Sequence, residues 1–281
     1  MIVTRLEGRL GNQMFQYAAG RALALRLGVY LGLDDRYCTS HLNQFNIQVE
    51  NIPQSLLPRS RFRKLLWKLR LHKLPEVKER IGGGGWKPQF EKLTDNIYLW
   101  GYWQSERFFQ NCKDVIRSDF EFTTQPQGEN LEIYQEIQET ESCISLHVRR
   151  GDYLDPKFRS YGICSQEYYE QAIRRIAEHC DATPRVFVFS DDPEWVTDHF
   201  KLSFEMRVMT HNSADQAIED LRLMTVCKHH VIANSSFSWW GGWLGQNTNK
   251  IVIAPSPWFD AYEKTFTSED IYCRGWMRLE K

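Results

Sequence analysis

The chain has 281 residues, of which 42% are hydrophobic and 25% are charged, and its formal net charge at pH 7 is −1. This is the composition of a globular protein with one large domain or two ordinary ones, and it excludes disorder as the default state. A balanced charge provides no general attraction to nucleic acid, so a negatively charged ligand would need a local basic site.

The cysteines and the first residues indicate the compartment. The seven cysteines are scattered, their number is odd, and no CxxC pair occurs. This pattern argues against a zinc ribbon and a disulfide scaffold. The segment MIVTRLEGRLGNQ at the start lacks the charged and apolar regions of a signal peptide, and no segment has the length of a bilayer span. We therefore expect a cytoplasmic protein.

The first half of the chain opens as a βα unit. A β-branched and apolar run at residues 2–6 predicts a strand, and Gly8 and Gly11 follow it. Residues 12–27 have apolar side chains at helical spacing and predict a helix. The order strand, glycine turn, helix is typical of an α/β fold.

A basic stretch at residues 59–80 comes next, with apolar side chains at helical spacing inside it. As an amphipathic basic helix it could bind peripherally to an anionic membrane surface, and it could equally be a solvated face of the first domain. The four glycines at 82–85 predict a flexible joint.

The second half alternates strands and helices more clearly, which predicts a parallel sheet. We place a domain boundary near residue 140, which gives domains 1–140 and 141–281. Predicted strands lie at 96–103, 143–148, 185–189, 230–233 and 251–254, and predicted helices at 133–139, 165–179, 214–225 and 238–244.

Three polar clusters follow three of these strands. RRGD follows the strand at 143–148, SDDPEW follows the one at 185–189, and NSSFSWW follows the one at 230–233. Ligands of open parallel α/β sheets bind beyond the carboxyl ends of the strands. The three clusters are therefore predicted to line one crevice.

The first cluster suits an anion. Side chains alternate along a strand, so His147 and Arg149 share a face. A guanidinium beside Gly151 could donate two charge-assisted hydrogen bonds to a diphosphate. Local chemistry gives equal weight to a structural role for Arg149. We assign Arg150 and Asp152 to an ion pair that holds the turn.

The second cluster contains two adjacent carboxylates, Asp191 and Asp192, before Pro193. They could bind a metal, or they could accept hydrogen bonds from a base or a ribose. The metal is the weaker interpretation because no two aspartates in the chain are separated by a single residue. Capping of the following helix is the alternative, and one aspartate could cap while the other binds.

The third cluster presents Ser235 and Ser236 before an apolar helix. Their hydroxyls could cap the helix, and with the free N–H groups of its first turn they could bind an anion. The adjacent tryptophans Trp239, Trp240 and Trp243 are assigned to packing.

Several other site types lack their residues. The chain has no HxH, HExxH or GxSxG pattern, so neither a zinc hydrolase nor a serine nucleophile elbow is indicated. The segment at 8–13, GRLGNQ, is neither a Walker loop nor a dinucleotide fingerprint. By itself it predicts only a phosphate or substrate loop.

Together, four segments resemble the bacterial α-1,2-fucosyltransferases of glycosyltransferase family 11. HxRRxD is shared with other fucosyltransferases, whereas GNQMFQYA and SSFSWWG narrow the resemblance to the α-1,2 group. The segments are GRLGNQMFQYA (8–18), HVRRGDY (147–153), FSDDPEW (189–195) and IEDLRLMTVCKHHVIANSSFSWWGGWL (218–244).

The resemblance implies an α/β, GT-B-like fold of two Rossmann-like halves with the donor site in the cleft. Domain 1–140 would then be the acceptor side and domain 141–281 the GDP-fucose-binding side. The implied reaction is inverting, metal-independent transfer of L-fucose from GDP-β-L-fucose to the 2-hydroxyl of a glycan, with a terminal β-galactoside as the expected acceptor. No cofactor is implied.

On the donor side, the resemblance assigns Arg149 to the β-phosphate, and His147 and Asp192 to the guanosine end. Ser235 or Ser236 would contact the diphosphate. Asp191 remains a donor-side candidate through its position beside Asp192.

On the acceptor or fucose side, the resemblance implies Asn12 and Gln13, together with Gly11 and Arg9, across the cleft. Arg9 stands where relatives usually have glycine. Inversion also calls for a base near the acceptor hydroxyl. Asp152 is the candidate for this role, although its assignment to the turn competes with it.

Two other functions stay open at this point. One keeps the donor and changes the linkage to α-1,6, and the other is a GDP-sugar-binding or glycan-binding protein without turnover. An oligosaccharide or a lipid-linked glycan would serve as acceptor. In the latter case residues 59–80 could contact the inner face of the membrane.

Overall fold

The computed structural model describes residues 1–53, 56, 74–79, 85–260 and 268–281. The chain divides into two compact units: unit 1 is Met1–Thr123 with Glu269–Ile271, and unit 2 is Thr124–Ser268 with Tyr272–Lys281. This division and the predicted boundary near residue 140 differ by one helix, Glu129–Glu139, because that helix packs on the core of unit 2. The donor-side and acceptor-side roles of the two domains stay predictions.

Unit 1 contains a parallel sheet whose described strands have the order β2-β1-β4-β3. The helix α1 connects β1 to β2 and is buried along most of its length. Its end is marked by Gly28, which adopts a left-handed conformation (φ 63°) that favours glycine. The elements of unit 1 are β1 (Ile2–Arg5), α1 (Leu10–Leu27), β2 (Leu31–Asp34), β3 (Glu76–Lys78), β4 (Ile97–Trp100) and α2 (Lys113–Asp119).

Unit 2 contains a larger parallel sheet. Its elements are α3 (Glu129–Glu139), β5 (Cys143–Val148), α4 (Gln166–Ala177), β6 (Arg185–Ser190), α5 (Pro193–His199), β7 (Met206–Val208), α6 (Ala217–Val226), β8 (His229–Val231), α7 (Ser236–Leu244), β9 (Val252–Ser256) and β10 (Met277–Glu280). The strand order is β7-β6-β5-β8-β9-β10. Numbered within the unit, this is 3-2-1-4-5-6, the order of the Rossmann fold.

Helices cover both faces of this sheet, so β5 is buried at all six positions. On one face, Ile144, Leu146 and Val148 pack with α4. On the other face, Cys143 packs with side chains of α3 and α6. The two-residue period of a strand therefore directs His147 and Arg149 away from the α4 face.

The long patterned elements follow the sequence predictions. The predicted strand at 143–148 has the same bounds in the structure, and the helix predicted at 165–179 is observed at Gln166–Ala177. The strands β2, β3, β7 and β10 were not predicted. Each has only three or four residues and includes a glycine or a charged residue, so no apolar run marks it in the sequence.

Parts of two predictions lie outside the described residues. These are residues 59–73 and 80 of the basic stretch, and 82–84 of the glycine joint. Within the described end of the basic stretch, Glu76–Lys78 forms β3. Across the ranges that the structure describes, no helix combines the length and the apolar character needed to cross a bilayer.

Gly20 sets how closely α1 approaches the sheet. A Cβ atom at this position would lie 2.2 Å from Thr4 Oγ1 and 2.9 Å from Leu31 Cδ1. We expect Gly20→Ala to lower the free energy of unfolding by about 1–3 kcal/mol, the usual cost of overpacking. Urea denaturation followed by circular dichroism measures the change.

The control variant is Thr4→Ala combined with Gly20→Ala. The Thr4 hydroxyl is buried without a hydrogen-bond partner, so its removal makes room at little cost. The double variant should recover most of the stability. A double variant no more stable than Gly20→Ala would contradict this account of the packing.

Candidate functional site

The candidate site lies at the point where the sheet of unit 2 reverses its strand order. The chain moves outward from β5 through β6 to β7, then returns to place β8 on the other side of β5. Ligands of such sheets bind outside the carboxyl ends of the strands at this switch point. Arg149 follows β5 and Asn234 to Ser236 follow β8, so both predicted clusters lie at this position.

Arg149 is held by two carboxylates. It pairs with Asp152, and its Nη1 lies 3.0 Å from Asp191 Oδ2. Its guanidinium carbon is also 5.1 Å from the centroid of the Tyr153 ring. The side chain is only 12% exposed, and its Nε is buried with no hydrogen-bond partner among the described residues. The guanidinium is thus fixed in orientation while one of its donors is left unsatisfied.

Gly151 is required by the close approach of Asp191. A Cβ atom at residue 151 would lie 2.1 Å from Asp191 Oδ2, the same oxygen that contacts Arg149. Asp191 Oδ1 accepts a hydrogen bond from the Arg150 backbone N–H at 2.9 Å. The glycine of RRGD therefore makes room for a carboxylate that orients the arginine.

The predicted ion pair between Arg150 and Asp152 is wrong. Asp152 pairs with Arg149, whereas Arg150 Nε lies 3.4 Å from Asp192 Oδ2. The guanidinium of Arg150 also stacks 3.4 Å from the centroid of the Trp195 ring. Neighbouring side chains at a strand end point in different directions, so the two arginines engage different carboxylates.

The adjacent residues Asp191 and Asp192 have different structural roles. Asp192 caps α5, because its Oδ1 accepts a hydrogen bond from the Trp195 backbone N–H at 3.4 Å. Asp191 orients Arg149 and the Arg150 backbone. The capping alternative of the sequence analysis therefore holds for Asp192. The predicted contacts of both residues with the donor stay predictions.

His147 lies two residues before Arg149 and is almost fully buried. Its ring packs 5.4 Å from the Phe237 ring, and its Nδ1 has no hydrogen-bond partner. Burial, followed by the nearby charge of Arg149, lowers the pKa of His147 to about 3. The imidazole is therefore neutral at physiological pH. Its unsatisfied Nδ1 can donate or accept a hydrogen bond, depending on the tautomer.

The β8–α7 connection is locked in place beside Arg149. Ser235 caps α7 by accepting a hydrogen bond from the Phe237 backbone N–H at 3.3 Å, and Ser236 begins the helix. The Asn234 side-chain amide donates to three backbone carbonyl groups. The hydroxyl of Tyr153 donates to the Asn234 carbonyl oxygen at 2.9 Å, so one side chain joins the two clusters.

One residue of this arrangement, Tyr153, was not singled out from the sequence. It follows RRGD directly, and a single tyrosine after a polar turn carries no separate signal. The tryptophans of α7 were assigned to packing, and this is confirmed, since Trp239, Trp240 and Trp243 are buried.

Asp220 is a second group that the sequence analysis did not single out. It lies in the first turn of α6, which follows β7 and therefore begins at the carboxyl edge of the sheet. Burial, opposed by a hydrogen bond from Asn212, raises the pKa of Asp220 to about 6. Acidic residues are common in the first turn of a helix, where they interact favourably with the helix dipole. The sequence alone therefore gave no reason to single out Asp220.

In unit 1, the predicted loop at 8–13 forms the turn between β1 and α1. Gly8 adopts a left-handed conformation (φ 77°). The buried amide of Gln13 donates to the carbonyl oxygens of Gly8 and Thr39 and accepts from the His41 backbone N–H. Gln13 thereby fixes the turn, and its predicted contact with a ligand stays a prediction.

The remaining loop residues differ in exposure. Arg9 is exposed and precedes α1 without a side-chain capping bond, whereas Gly11 is buried in the first turn. Asn12 Oδ1 accepts a hydrogen bond from Gln104 Nε2 at 2.8 Å. Their predicted position on the acceptor or fucose side is likewise untested by this geometry.

Among the residues that the structure describes, no three His, Cys, Asp or Glu side chains are grouped as a metal site would require.

Comparison with known proteins places the chain in a family. The family model described as "Glycosyl transferase family 11" matches residues 1–280. An alpha-1,2-colitosyltransferase of Escherichia coli is 32% identical over 307 residues, which cover 100% of this chain and 99% of that protein. The O-antigen biosynthesis glycosyltransferase WbnK of Escherichia coli is 32% identical, with 98% and 99% covered. The mouse galactoside 2-alpha-L-fucosyltransferase Sec1 is 24% identical, with 99% and 74% covered.

Two solved structures share the fold. A mutant of Arabidopsis thaliana FUT1 in complex with GDP has a TM-score of 0.51 at 11% identity, and covers 89% of this chain and 69% of that chain. A glycosyl transferase family 9 protein from Veillonella parvula has a TM-score of 0.50 at 12% identity, with 99% and 86% covered. At these identities the likeness shows the fold alone.

The two units with parallel sheets have the GT-B-like architecture that the sequence predicted. The chain belongs to glycosyl transferase family 11, and its relatives are α-1,2-fucosyl- and α-1,2-colitosyltransferases.

The dependence of Arg149 on Gly151 can be tested directly. In Gly151→Ala, the added methyl group must displace the Asp191 carboxylate that orients Arg149. We expect GDP to bind about tenfold more weakly, which corresponds to about 1.4 kcal/mol, as measured by isothermal titration calorimetry.

Asp191→Asn is the companion variant. Its side chain has one carbonyl oxygen for the two contacts that Asp191 makes, with Arg149 and with the Arg150 backbone N–H. It should therefore weaken GDP binding as well. Unchanged GDP binding in Gly151→Ala would show that the position of Asp191 does not matter for Arg149.

Asp220 should make stability depend on pH. Its pKa rises from 3.8 in the unfolded chain to about 6 in the fold. The folded state therefore holds the proton more tightly, and its stabilising contribution, complete below pH 3.8, is lost as the pH rises through 6. We expect Asp220→Asn to raise the free energy of unfolding at pH 7 by up to about 3 kcal/mol, with little change at pH 4.

Urea denaturation of both proteins at the two pH values measures this difference. Asp215→Asn, at an exposed position in the same connection, is the matched control and should change neither value. Equal gains for Asp220→Asn at pH 4 and pH 7 would contradict the raised pKa.

Proposed function

We propose that this protein transfers L-fucose from GDP-β-L-fucose to the 2-hydroxyl of a terminal β-galactoside, with inversion at the anomeric carbon and without a metal ion. Family membership and the names of the relatives support α-1,2 transfer. The observation that carries the proposal is the fixed guanidinium of Arg149 at the switch point of the sheet in unit 2.

The unsatisfied groups around Arg149 favour a ligand at this position. Arg149 Nε and His147 Nδ1 are both buried and have no hydrogen-bond partner among the residues that the structure describes. A buried polar group without a partner costs about 1–3 kcal/mol, so such groups usually pair with a ligand or water. In our assignment the diphosphate pairs with Arg149, and His147 contacts the guanosine end.

The chemistry of the step explains the demand for a fixed cation. Cleavage of the bond between fucose C1 and its oxygen leaves the electron pair on the β-phosphate of GDP and positive charge on the sugar. Donors that are already oriented stabilise this developing charge without having to reorganise. Arg149 would serve as the charged donor, and the first turn of α7 at Ser235 and Ser236 would supply further N–H groups.

Metal independence is part of the proposal because Arg149 could stabilise the negative charge of the departing diphosphate. A guanidinium is permanently charged and donates hydrogen bonds to phosphate oxygens. In metal-dependent transferases a divalent cation neutralises the same oxygens.

Asp152 is a weak candidate for the base, since it pairs with Arg149. Its contribution in our assignment is to hold the guanidinium. The acceptor hydroxyl then loses its proton late, after the fucose C1–O bond has largely broken, and an oxygen of the departing diphosphate or a water molecule takes that proton.

A second donor is supported by one relative. The Escherichia coli protein that covers the whole chain at 32% identity is named an α-1,2-colitosyltransferase. Colitose is the 3-deoxy counterpart of L-fucose, so the two donors differ by one hydroxyl group. GDP-colitose is therefore the second candidate donor, with the linkage unchanged.

The deciding experiment incubates the protein with lactose and either GDP-fucose or GDP-colitose in the presence of EDTA. Product linkage is read by mass spectrometry and NMR. We expect a 2-O-linked product with GDP-fucose, and a loss of about 10²–10³ in rate for Arg149→Ala, the usual effect of removing one preorganised donor.

Arg174→Ala is the matched control, because Arg174 pairs with Glu170 on the exposed face of α4. It should retain full activity. Faster transfer from GDP-colitose would assign the other donor, and a 6-O-linked product would assign an α-1,6-transferase. Tight GDP binding without hydrolysis or transfer would indicate a binding protein. Equal activity of Arg149→Ala and the wild type would overturn the assignment of the site.

A further inference from the structure

The carboxyl edge of the sheet in unit 1 bears aromatic and charged side chains that the donor chemistry does not use. We call this group the aromatic platform and define it as Arg5, Glu7, Tyr37, Trp100 and Tyr102. Arg5 ends β1, Trp100 ends β4, and Tyr37 follows β2. Since these strands are parallel, their carboxyl ends lie at one edge of the sheet, where ligands of α/β sheets bind.

A guanidinium stacked between two rings forms the centre of the aromatic platform. Arg5 Cζ lies 3.7 Å from the centroid of the Tyr37 ring and 4.2 Å from that of the Trp100 ring. Lys78 Nζ lies 4.0 Å from the Trp100 ring centroid. These distances are those of cation–π contacts, which hold the planes of the side chains in fixed orientations.

The carboxylate of Glu7 is fixed in the same assembly. It pairs with Arg5 and accepts a hydrogen bond from Trp100 Nε1 at 3.1 Å. Its backbone N–H donates to the buried side chain of Gln16 at 2.9 Å. The Glu7 side chain is nevertheless 25% exposed, and Arg5 Nε is buried without a hydrogen-bond partner in the part of the chain that the structure describes. The ion pair therefore retains hydrogen-bonding capacity that these residues do not satisfy.

Two tyrosines expose their side chains beside this ion pair. Tyr37 is 39% exposed and Tyr102 is 45% exposed. The backbone at Tyr102 is fixed, because its N–H and that of Trp103 both donate to the Glu79 carboxylate, at 2.7 and 2.9 Å. Burial, and then the charge of Glu7, raises the pKa of Tyr102.

We propose that the aromatic platform is the subsite for the acceptor sugar and that it takes a neutral β-galactoside. This inference rests on the proposed function, which requires such an acceptor. It extends that function to residues outside the predicted loop at 8–13.

The chemistry of galactose fits these side chains. Its axial 4-hydroxyl leaves the C–H groups of C3, C4 and C5 together on one face, and this apolar face packs against an aromatic ring. The Glu7 carboxylate accepts hydrogen bonds from sugar hydroxyls, and the Arg5 guanidinium donates them. A few fixed polar groups among aromatic side chains are the usual composition of a small-molecule site. Glucose, with an equatorial 4-hydroxyl, lacks the continuous apolar face.

The test compares Tyr37→Ala, Tyr102→Ala and Glu7→Gln with the wild type. Saturation-transfer NMR with methyl β-D-galactoside in the presence of GDP measures acceptor binding without turnover, and the acceptor KM is measured in the transfer assay. We expect a tenfold or larger rise in acceptor KM and a loss of the preference for the galactoside over methyl β-D-glucoside. The GDP dissociation constant should stay the same.

Two further variants separate stacking from folding. Tyr102→Phe keeps the ring and should retain the acceptor KM of the wild type. Tyr30→Ala is the matched control, because Tyr30 is 69% exposed and precedes β2, at the opposite edge of the same sheet. It should leave transfer unchanged.

The outcomes distinguish this inference from the proposed function. Normal transfer with unchanged acceptor KM in all three test variants would overturn the subsite and leave the proposed function standing. If the wild type transfers from neither donor, the proposed function fails. In that case galactoside binding that is lost in the three variants would still support the subsite, and its retention would overturn it.

Discussion

The candidate site in unit 2 depends on the fixed orientation of Arg149. Its charge lies at the carboxyl end of β5, a strand buried on both faces, so the guanidinium cannot move with the surrounding loops. Asp152 and Asp191 hold it from two sides, and Gly151 has no side chain because Asp191 occupies that space. A cation prepared in this way suits a reaction in which negative charge develops on a departing diphosphate, since stabilisation then requires no reorganisation.

Our proposals assign the donor and the acceptor to two units of similar architecture. Each unit contains a parallel sheet with the proposed functional side chains after its strands, and each has its own Gly-containing turn. In unit 2 the strand ends bear arginine, carboxylates and serine hydroxyls, which suit a charged donor. In unit 1 they bear tyrosines and oppositely charged pairs that neutralise each other, which suit a neutral sugar. The difference in chemistry thus follows from side chains at equivalent positions of similar sheets.

The sequence predicted the parts of the site that have strong local patterns. The strand at 143–148 and the polar clusters after three strands follow from alternation and from the position of ligands in α/β sheets. The prediction was wrong where two carboxylates were available to one arginine, because Arg150 pairs with Asp192 and not with Asp152. It also could not separate the two roles of Asp191 and Asp192, because both follow the same strand and differ only in direction.

By itself the sequence determined the alternating α/β fold, the family, and which strand ends carry polar groups. These depend on periodicity and on short motifs, which are local properties of a chain. Only the tertiary structure decided that Tyr153 joins the two clusters, that Asp220 is buried enough to raise its pKa, and that Arg5 stacks between Tyr37 and Trp100. Each of these depends on the distance between residues far apart in sequence, and that distance is set by strand order and packing.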